Sequence, residues 1–178
     1  ALQAHPEAAM VYSADYWFHR SPRHIFGFVS ARQIEPGAHL RSLLEFKLPT
    51  GDGGLYRVSA LREVGPFDER LVRSGTFDTW VRLARRFPLH ALQFPTRLCR
   101  AHRGVRGALA DRFSPDETLV KFVEYNRLIY RKWYWGLGLA EVDPGLGDAT
   151  DQACLAAALV FRANVMLKRT LVGYASFD

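Results

Sequence analysis

Few side chains in this sequence have both the type and the setting for chemistry. Asp78 precedes an amphipathic stretch, and His102 sits inside an arginine run formed by Arg97, Arg100, Arg103 and Arg106. Guanidinium groups suit planar, bidentate binding of phosphate or carboxylate, so the run is a candidate anion site. Upstream lies a glycine cluster, Gly51, Gly53 and Gly54, where the lack of a Cβ lets a ligand or another backbone approach closely. Each feature also has a plain structural reading. Asp78 can be an N-cap or first-turn acid of a helix. His102 can be a structural residue in a solvated basic loop, and the glycines can serve backbone geometry alone. Asp68, just after Phe67, reads as a turn residue, and Trp80 reads as core.

Short elements have to position these groups. Residues 1–4 read as the end of a helix stopped by Pro6, and residues 8–13 (AAMVYS) as a buried strand. Tyr16, Trp17, Phe18, His19 and Arg20 form an aromatic-basic patch, read as core plus a solvated edge, with a ligand wall as the alternative. Residues 26–30 suggest another strand, Pro36-Gly37 a turn, and residues 38–46 carry apolar positions at helical spacing. A strand at 55–58 is followed by a short helix with Ser59 as N-cap and Gly65 at its end. A helix over 78–86 leads past Pro88 into two short strands, 89–94 and 97–101, around Pro95. Ser114, Pro115, Asp116 and Glu117 carry N-cap, first-turn proline and dipole signals and open a helix running to about residue 135. A Gly/Pro/Asp loop covers 136–149, and a last helix spans about 150–172. The Gly136-x-Gly138 pair follows no clear strand and gives no dinucleotide signal.

The 178 residues are enough for a sizeable core. With 48% hydrophobic and 24% charged residues, the composition is that of a folded globular chain rather than a disordered one. The net charge of +6 reads as scattered, without a recognition motif, which argues against a nucleic-acid module. The apolar run of the last helix is too short for a bilayer, which takes about 20 residues. Packing on the domain is its expected role, and a basic amphipathic surface helix is the alternative. Cys99 and Cys154 lack metal-type spacing, and no disulfide framework is expected, which fits a reducing, cytoplasmic compartment. The first residues show no targeting pattern and open mid-pattern, as at a domain boundary.

Three stretches together, HPEAAMVYSADY, GGLYRVSALREVGPFDERL and FDTWVRLARRFPLHALQFPTRLCRAHRG, resemble the second half of a family 2 glycosyltransferase domain over residues 1–107. The most specific parts are Arg-x-Ser-Ala-Leu-x-x-Val-Gly-x-Phe-Asp at 57–68, Trp-x-Arg-Leu-Ala at 80–84 and Arg-x-His at 100–102. Residues 108–178 match no motif and are expected to form a helical extension packed on that domain. The resemblance implies an α/β fold, a partial GT-A sandwich. It also implies a nucleotide-sugar donor, a divalent metal (Mg or Mn), and inverting transfer to a hydroxyl of a sugar or lipid-linked acceptor. On its terms Asp78 is the candidate base, and Gly53, Gly54 and Trp80 lie on the acceptor side. Arg97, Arg100 and Arg103 contact the diphosphate and His102 ligates the metal.

Two departures qualify this picture. The nucleotide-binding strands and Asp-x-Asp motif of the family's first half have no counterpart here. The Glu-Asp pair usual before the Trp-x-Arg-Leu block falls on Gly75 and Thr76, leaving Asp78 as the substitute. A non-catalytic glycosyltransferase-like binding or interaction module is therefore the alternative. Without the first-half strands a sheet edge is left exposed, which invites a homodimer. Peripheral association with the inner face of a membrane is a further expectation.

Overall fold

The computed structural model describes residues 1–35, 37–45, 54–108, 111–133, 136–142 and 152–175. The chain is mixed α/β and divides into two compact units, Ala1–Phe67 with Thr76–Arg103, and Asp68–Gly75 with Gly104–Asp178.

The first unit contains, in order, β1 (Met10–Phe18), β2 (Ile25–Val29), α1 (His39–Leu44), β3 (Gly54–Tyr56), α2 (Val58–Val64), α3 (Gly75–Ala84) and β4 (Leu89–Arg100). β1 is the centre of the sheet. Its residues from Met10 to Asp15 are all buried, so both faces are covered, which is why the sequence there is a continuous apolar run. β4 runs parallel to β1 along its full length, from Met10 opposite Leu89 to Phe18 opposite Arg100. The other edge of β1 is shared, with β3 antiparallel to Met10–Tyr12 and β2 antiparallel to Asp15–Phe18. Leu40, Leu43 and Leu44 of α1 and Phe77, Trp80, Val81 and Leu83 of α3 complete the core.

Several local readings change. Residues 1–4 form a turn closed by the Ala4 N–H on the Ala1 carbonyl at 3.0 Å, and no helix precedes Pro6 within the chain. β1 continues beyond residue 13 because strands on both sides pair with its second half, so Tyr16, Trp17 and Phe18 are strand residues. The helix expected to be capped by Ser59 starts two residues earlier, at Val58, with Arg57 in the cap position. The Arg57 N–H donates to the Ala9 carbonyl at 2.8 Å, which holds Arg57 extended at ψ 119° and makes it the cap residue. Gly65 ends that helix with φ +88°, a conformation only glycine adopts easily. The strands expected at 89–94 and 97–101 are one strand. Pro95 stays in the ladder opposite Ala14, while the register shifts between Ser13, Ala14 and Asp15 leave Gln93, Phe94 and Thr96 of β4 outside it. Among the described residues β4 pairs only with β1, the edge setting in which a strand proline is tolerated.

The second unit opens with a hairpin that the sequence reading did not anticipate, β5 (Arg106–Ala108) against β6 (Asp111–Phe113). Gly107 is required there, since its φ is +87° and a Cβ would overlap the Asp111 carbonyl. A 3-10 turn at Pro115–Glu117 leads into α4 (Thr118–Trp133). The Glu117 carboxylate accepts the Ser114 N–H at 2.8 Å and its hydroxyl at 2.9 Å, so the helix start is fixed locally, as its sequence indicated. α5 (Leu139–Val142) falls inside the expected 136–149 loop, and α6 (Gln152–Ala175) packs on α4 and α5. Val123, Ile129 and Tyr130 of α4 and Ala158 and Val165 of α6 are buried there. Among the described residues no helix is long and apolar enough to cross a membrane.

Candidate functional site

Asp78 lies in the first turn of α3 with no exposed surface. Its Oδ2 accepts from Arg82 Nε at 3.0 Å, one turn on. Arg82 also donates to the carbonyls of Val64, Gly65 and Pro66 at 2.7, 2.8 and 2.9 Å, and to Thr79 Oγ1 at 3.1 Å. The pair therefore ties α3 to the end of α2. A general base must come within hydrogen-bond reach of the proton it removes, and this carboxylate has no exposed surface to offer an acceptor hydroxyl. Its geometry fits the structural reading, a helix-terminal acid.

The acceptor-side candidates are packed as well. Trp80 is 1% exposed, donates its indole N–H to Tyr56 Oη at 2.8 Å and lies 5.5 Å from the Tyr12 ring, so it serves the core rather than a sugar. A Cβ on Gly54 would press to 2.9 Å from Met10 Sδ, so glycine there makes room for a core side chain. Gly51 and Gly53 lie outside the described residues. Arg57, which opens the 57–68 motif, donates Nε to the Ala8 carbonyl at 3.1 Å. One of its terminal nitrogens bonds the carbonyls of Leu2 and His5 at 2.9 and 3.1 Å. In the second unit Asp68 is the turn residue expected. It accepts from the Arg70 side chain at 2.9 and 2.8 Å, from the Arg70 N–H at 3.2 Å, and from Lys132 at 3.0 Å. These contacts, Arg70 first, hold its carboxyl well below the usual range.

The arginine run divides in two. Arg97 forms a two-point ion pair with the buried Asp15, at 2.9 and 2.5 Å, and is spent on the sheet. Arg100, His102 and Arg103 are exposed and, with His19, Arg20 and Ala101, line a concavity of about 510 Å³. The site forms because β1 and β4 end side by side, Phe18 opposite Arg100, with the Ala101 N–H donating to the Phe18 carbonyl at 2.8 Å. Among the described residues Arg20, Arg100 and Arg103 have no carboxylate partner. Segments 16–34 and 93–103 hold six arginines, three histidines and no acid, a charge equal to the +6 of the whole chain. Of these, Arg20, Arg100 and Arg103 are brought to one concavity by the parallel pairing of β1 with β4. Ligands of open α/β sheets bind beyond the carboxyl ends of strands, and this concavity stands there. Three exposed guanidinium groups and two imidazoles converging without an acid suit a polyanion.

A divalent cation fits this lining poorly. Mg and Mn prefer oxygen donors, whereas the charged and ionisable side chains that line the concavity are three arginines and two histidines. Among the described residues no three His, Cys, Asp or Glu side chains gather as metal ligands. The other histidines serve packing. His90 stacks on His5 at 3.6 Å, and His39 is 2% exposed. Burial pushes the His39 pKa down to about 4, against the Leu89 backbone and with help from nearby His90.

His19 and Arg20 are the site residues that sequence reasoning left in an edge patch. The available signal was the absence of acid from both 16–34 and 93–103. No known protein-family model matches this chain, and no curated protein matches it.

Proposed function

We propose that this chain is the acceptor-side part of a GT-A-type, family 2 glycosyltransferase-like domain, and that the concavity at the carboxyl ends of β1 and β4 binds the diphosphate of a nucleotide-sugar. The acid-free lining by His19, Arg20, Arg100, His102 and Arg103 is the observation that carries this reading. In a transfer to an acceptor hydroxyl, such a site stabilises the negative charge that grows on the leaving diphosphate. His102 takes the part of a phosphate contact rather than a metal ligand. The divalent ion implied by the resemblance would arrive with the diphosphate, since the lining offers it one kind of donor and no carboxylate.

A second reading, a non-catalytic binding module with the same diphosphate site, is favoured by the burial of Asp78 and by Gly75 and Thr76 at the acidic positions. Calorimetry with inorganic pyrophosphate tests the shared part of both. Binding that weakens in Arg100→Ala/Arg103→Ala supports the site, and binding that is absent or indifferent to those changes removes it. Sugar transfer from a nucleotide-sugar by the native protein separates the two, and Asp78→Asn then reports whether Asp78 is the base. Transfer that survives the change in Asp78→Asn rules that role out.

A further inference from the structure

An exposed apolar row leads into the basic concavity. Residues opposite each other in a sheet share a face, and so do residues two apart in a strand. Tyr16 is opposite both Phe28 of β2 and Leu98 of β4, so the three form a row across the sheet. Phe26 lies two residues from Phe28, and Arg100 lies two from Leu98, which puts both on that face. Phe26, Phe28 and Leu98 are 55%, 55% and 54% exposed. Beyond them His19 stacks on Phe26 at 4.0 Å and opens the cationic lining. Contiguous apolar patches of this kind mark interaction surfaces, and the acid-free rim selects a partner that is anionic as well as apolar.

We propose that this face docks on an anionic lipid bilayer. The Phe26, Phe28, Tyr16 and Leu98 row enters the boundary between headgroups and acyl chains, while Arg20 and Arg100 at its end contact lipid phosphates. Peripheral membrane binding needs two signals, apolar insertion and cationic attraction, and the sheet end carries both side by side. Single-stranded nucleic acid also combines charge with aromatic surface, but it needs open rings for base stacking. Here the face of Phe26 is covered by His19 at an interplanar angle of 8°, Tyr16 and Phe28 tilt at 44° to each other, and Leu98 has no ring. The row is shaped for insertion rather than stacking.

The proposal shares Arg20 and Arg100 with the diphosphate reading but does not rest on it, and one set of proteins tests both. The full chain is sedimented with phosphatidylcholine vesicles with and without phosphatidylglycerol, and its pyrophosphate affinity is measured in parallel. Retention only on the phosphatidylglycerol vesicles is expected, falling roughly tenfold or more in Phe28→Ser/Leu98→Ser, a variant that leaves pyrophosphate affinity unchanged. Both side chains are exposed, so an unaltered circular dichroism spectrum accompanies the loss. No retention at low ionic strength, retention that the double substitution does not change, or preference for a single-stranded RNA oligonucleotide over the vesicles overturns the docking. Loss of pyrophosphate binding with vesicle binding intact would instead remove the diphosphate reading and leave the docking in place.

Discussion

Arg82 and Arg100 belong to the same unit and do opposite things. Arg82 is surrounded by acceptors made by the fold, namely the Asp78 carboxylate, three carbonyls at the end of α2 and the Thr79 hydroxyl. Arg100 stands exposed at the end of β4, in a lining of cations and without a carboxylate partner among the described residues. The first guanidinium has its donors used internally and can add little to a ligand. The second has donors to offer. The blocks on which the proposed glycosyltransferase reading rests most, 57–68 and 80–84, hold the internally committed arginines, Arg57 and Arg82. The anion chemistry sits in the less distinctive Arg-x-His loop. A sequence block can be specific because it builds the frame rather than because it touches the substrate.

The widest separation between the two regions is expected from Arg82→Ala. It would leave the Asp78 carboxylate buried without its partner, and removing one member of a buried ion pair typically costs ~3–5 kcal/mol. The loss of a donor to three carbonyls acts in the same direction. Urea unfolding followed by circular dichroism measures it. A loss below about 1 kcal/mol, the range of an ordinary surface change, would mean that Arg82 is not a lock and would break the contrast with Arg100.

The histidines extend the contrast by pH. His39 is enclosed by the core, and its folded pKa of about 4 lies below the ordinary 6.5. Between those values the unfolded chain takes up a proton that the native state refuses, so stability falls as pH drops from 6.5 towards 4. The integrated loss is ~3 kcal/mol from this residue. Asp68 acts lower on the scale. Its carboxyl pKa is depressed, so its stabilisation is present above 3.8 and is lost as pH falls further. Urea midpoints across this range should slope downward with acid in the native protein and flatten above pH 4 in His39→Phe. A flat native profile would show that the His39 imidazole is not enclosed by the core. A smaller cost, ~2 kcal/mol, is expected for Arg57→Ala, because charge-assisted bonds to the Leu2, His5 and Ala8 carbonyls are lost from a half-buried site. Arg57→Lys should recover only part of it, since an ammonium cannot span the same fork, and thermal midpoints of the two variants check this.

The same division explains what was legible. The mixed α/β class and the centre of β1 follow from local apolar runs. The start of the α4 region follows from Ser114 to Glu117, whose bonds are local and so visible in sequence. Ser59 has the side chain of a cap but does not serve as one, because a distant carbonyl, that of Ala9, decides the backbone of Arg57. Pro95 reads as a break in sequence because only the pairing with β1 shows that it stays in the ladder, opposite Ala14 and between two register shifts. The hairpin of β5 and β6 is too short to show alternation. At the candidate site, Arg100, His102 and Arg103 were readable from their spacing. His19 and Arg20 were not, because their place beside Arg100 depends on pairing between strands far apart in the chain. The burial of Asp78 follows from the same kind of long-range packing.

The least effect on the fold, and the sharpest test of the contrast, belongs to Arg100→Ala/Arg103→Ala. Both side chains are exposed and neither has a carboxylate partner among the described residues, so unfolding free energy should move by no more than about 0.5 kcal/mol. Pyrophosphate affinity should fall roughly tenfold or more, because charge-assisted hydrogen bonds to phosphate are the strong ones and two guanidinium groups are removed. The native affinity should also weaken as salt is added, because exposed charges are screened. The decisive quantity is the ratio of the two losses. Arg82→Ala should damage stability first, with any loss of binding following from unfolding. The double variant should damage binding with the melting curve in place. If its stability falls as far as its affinity, Arg100 and Arg103 are part of the frame, and the open end of the sheet is not a binding site.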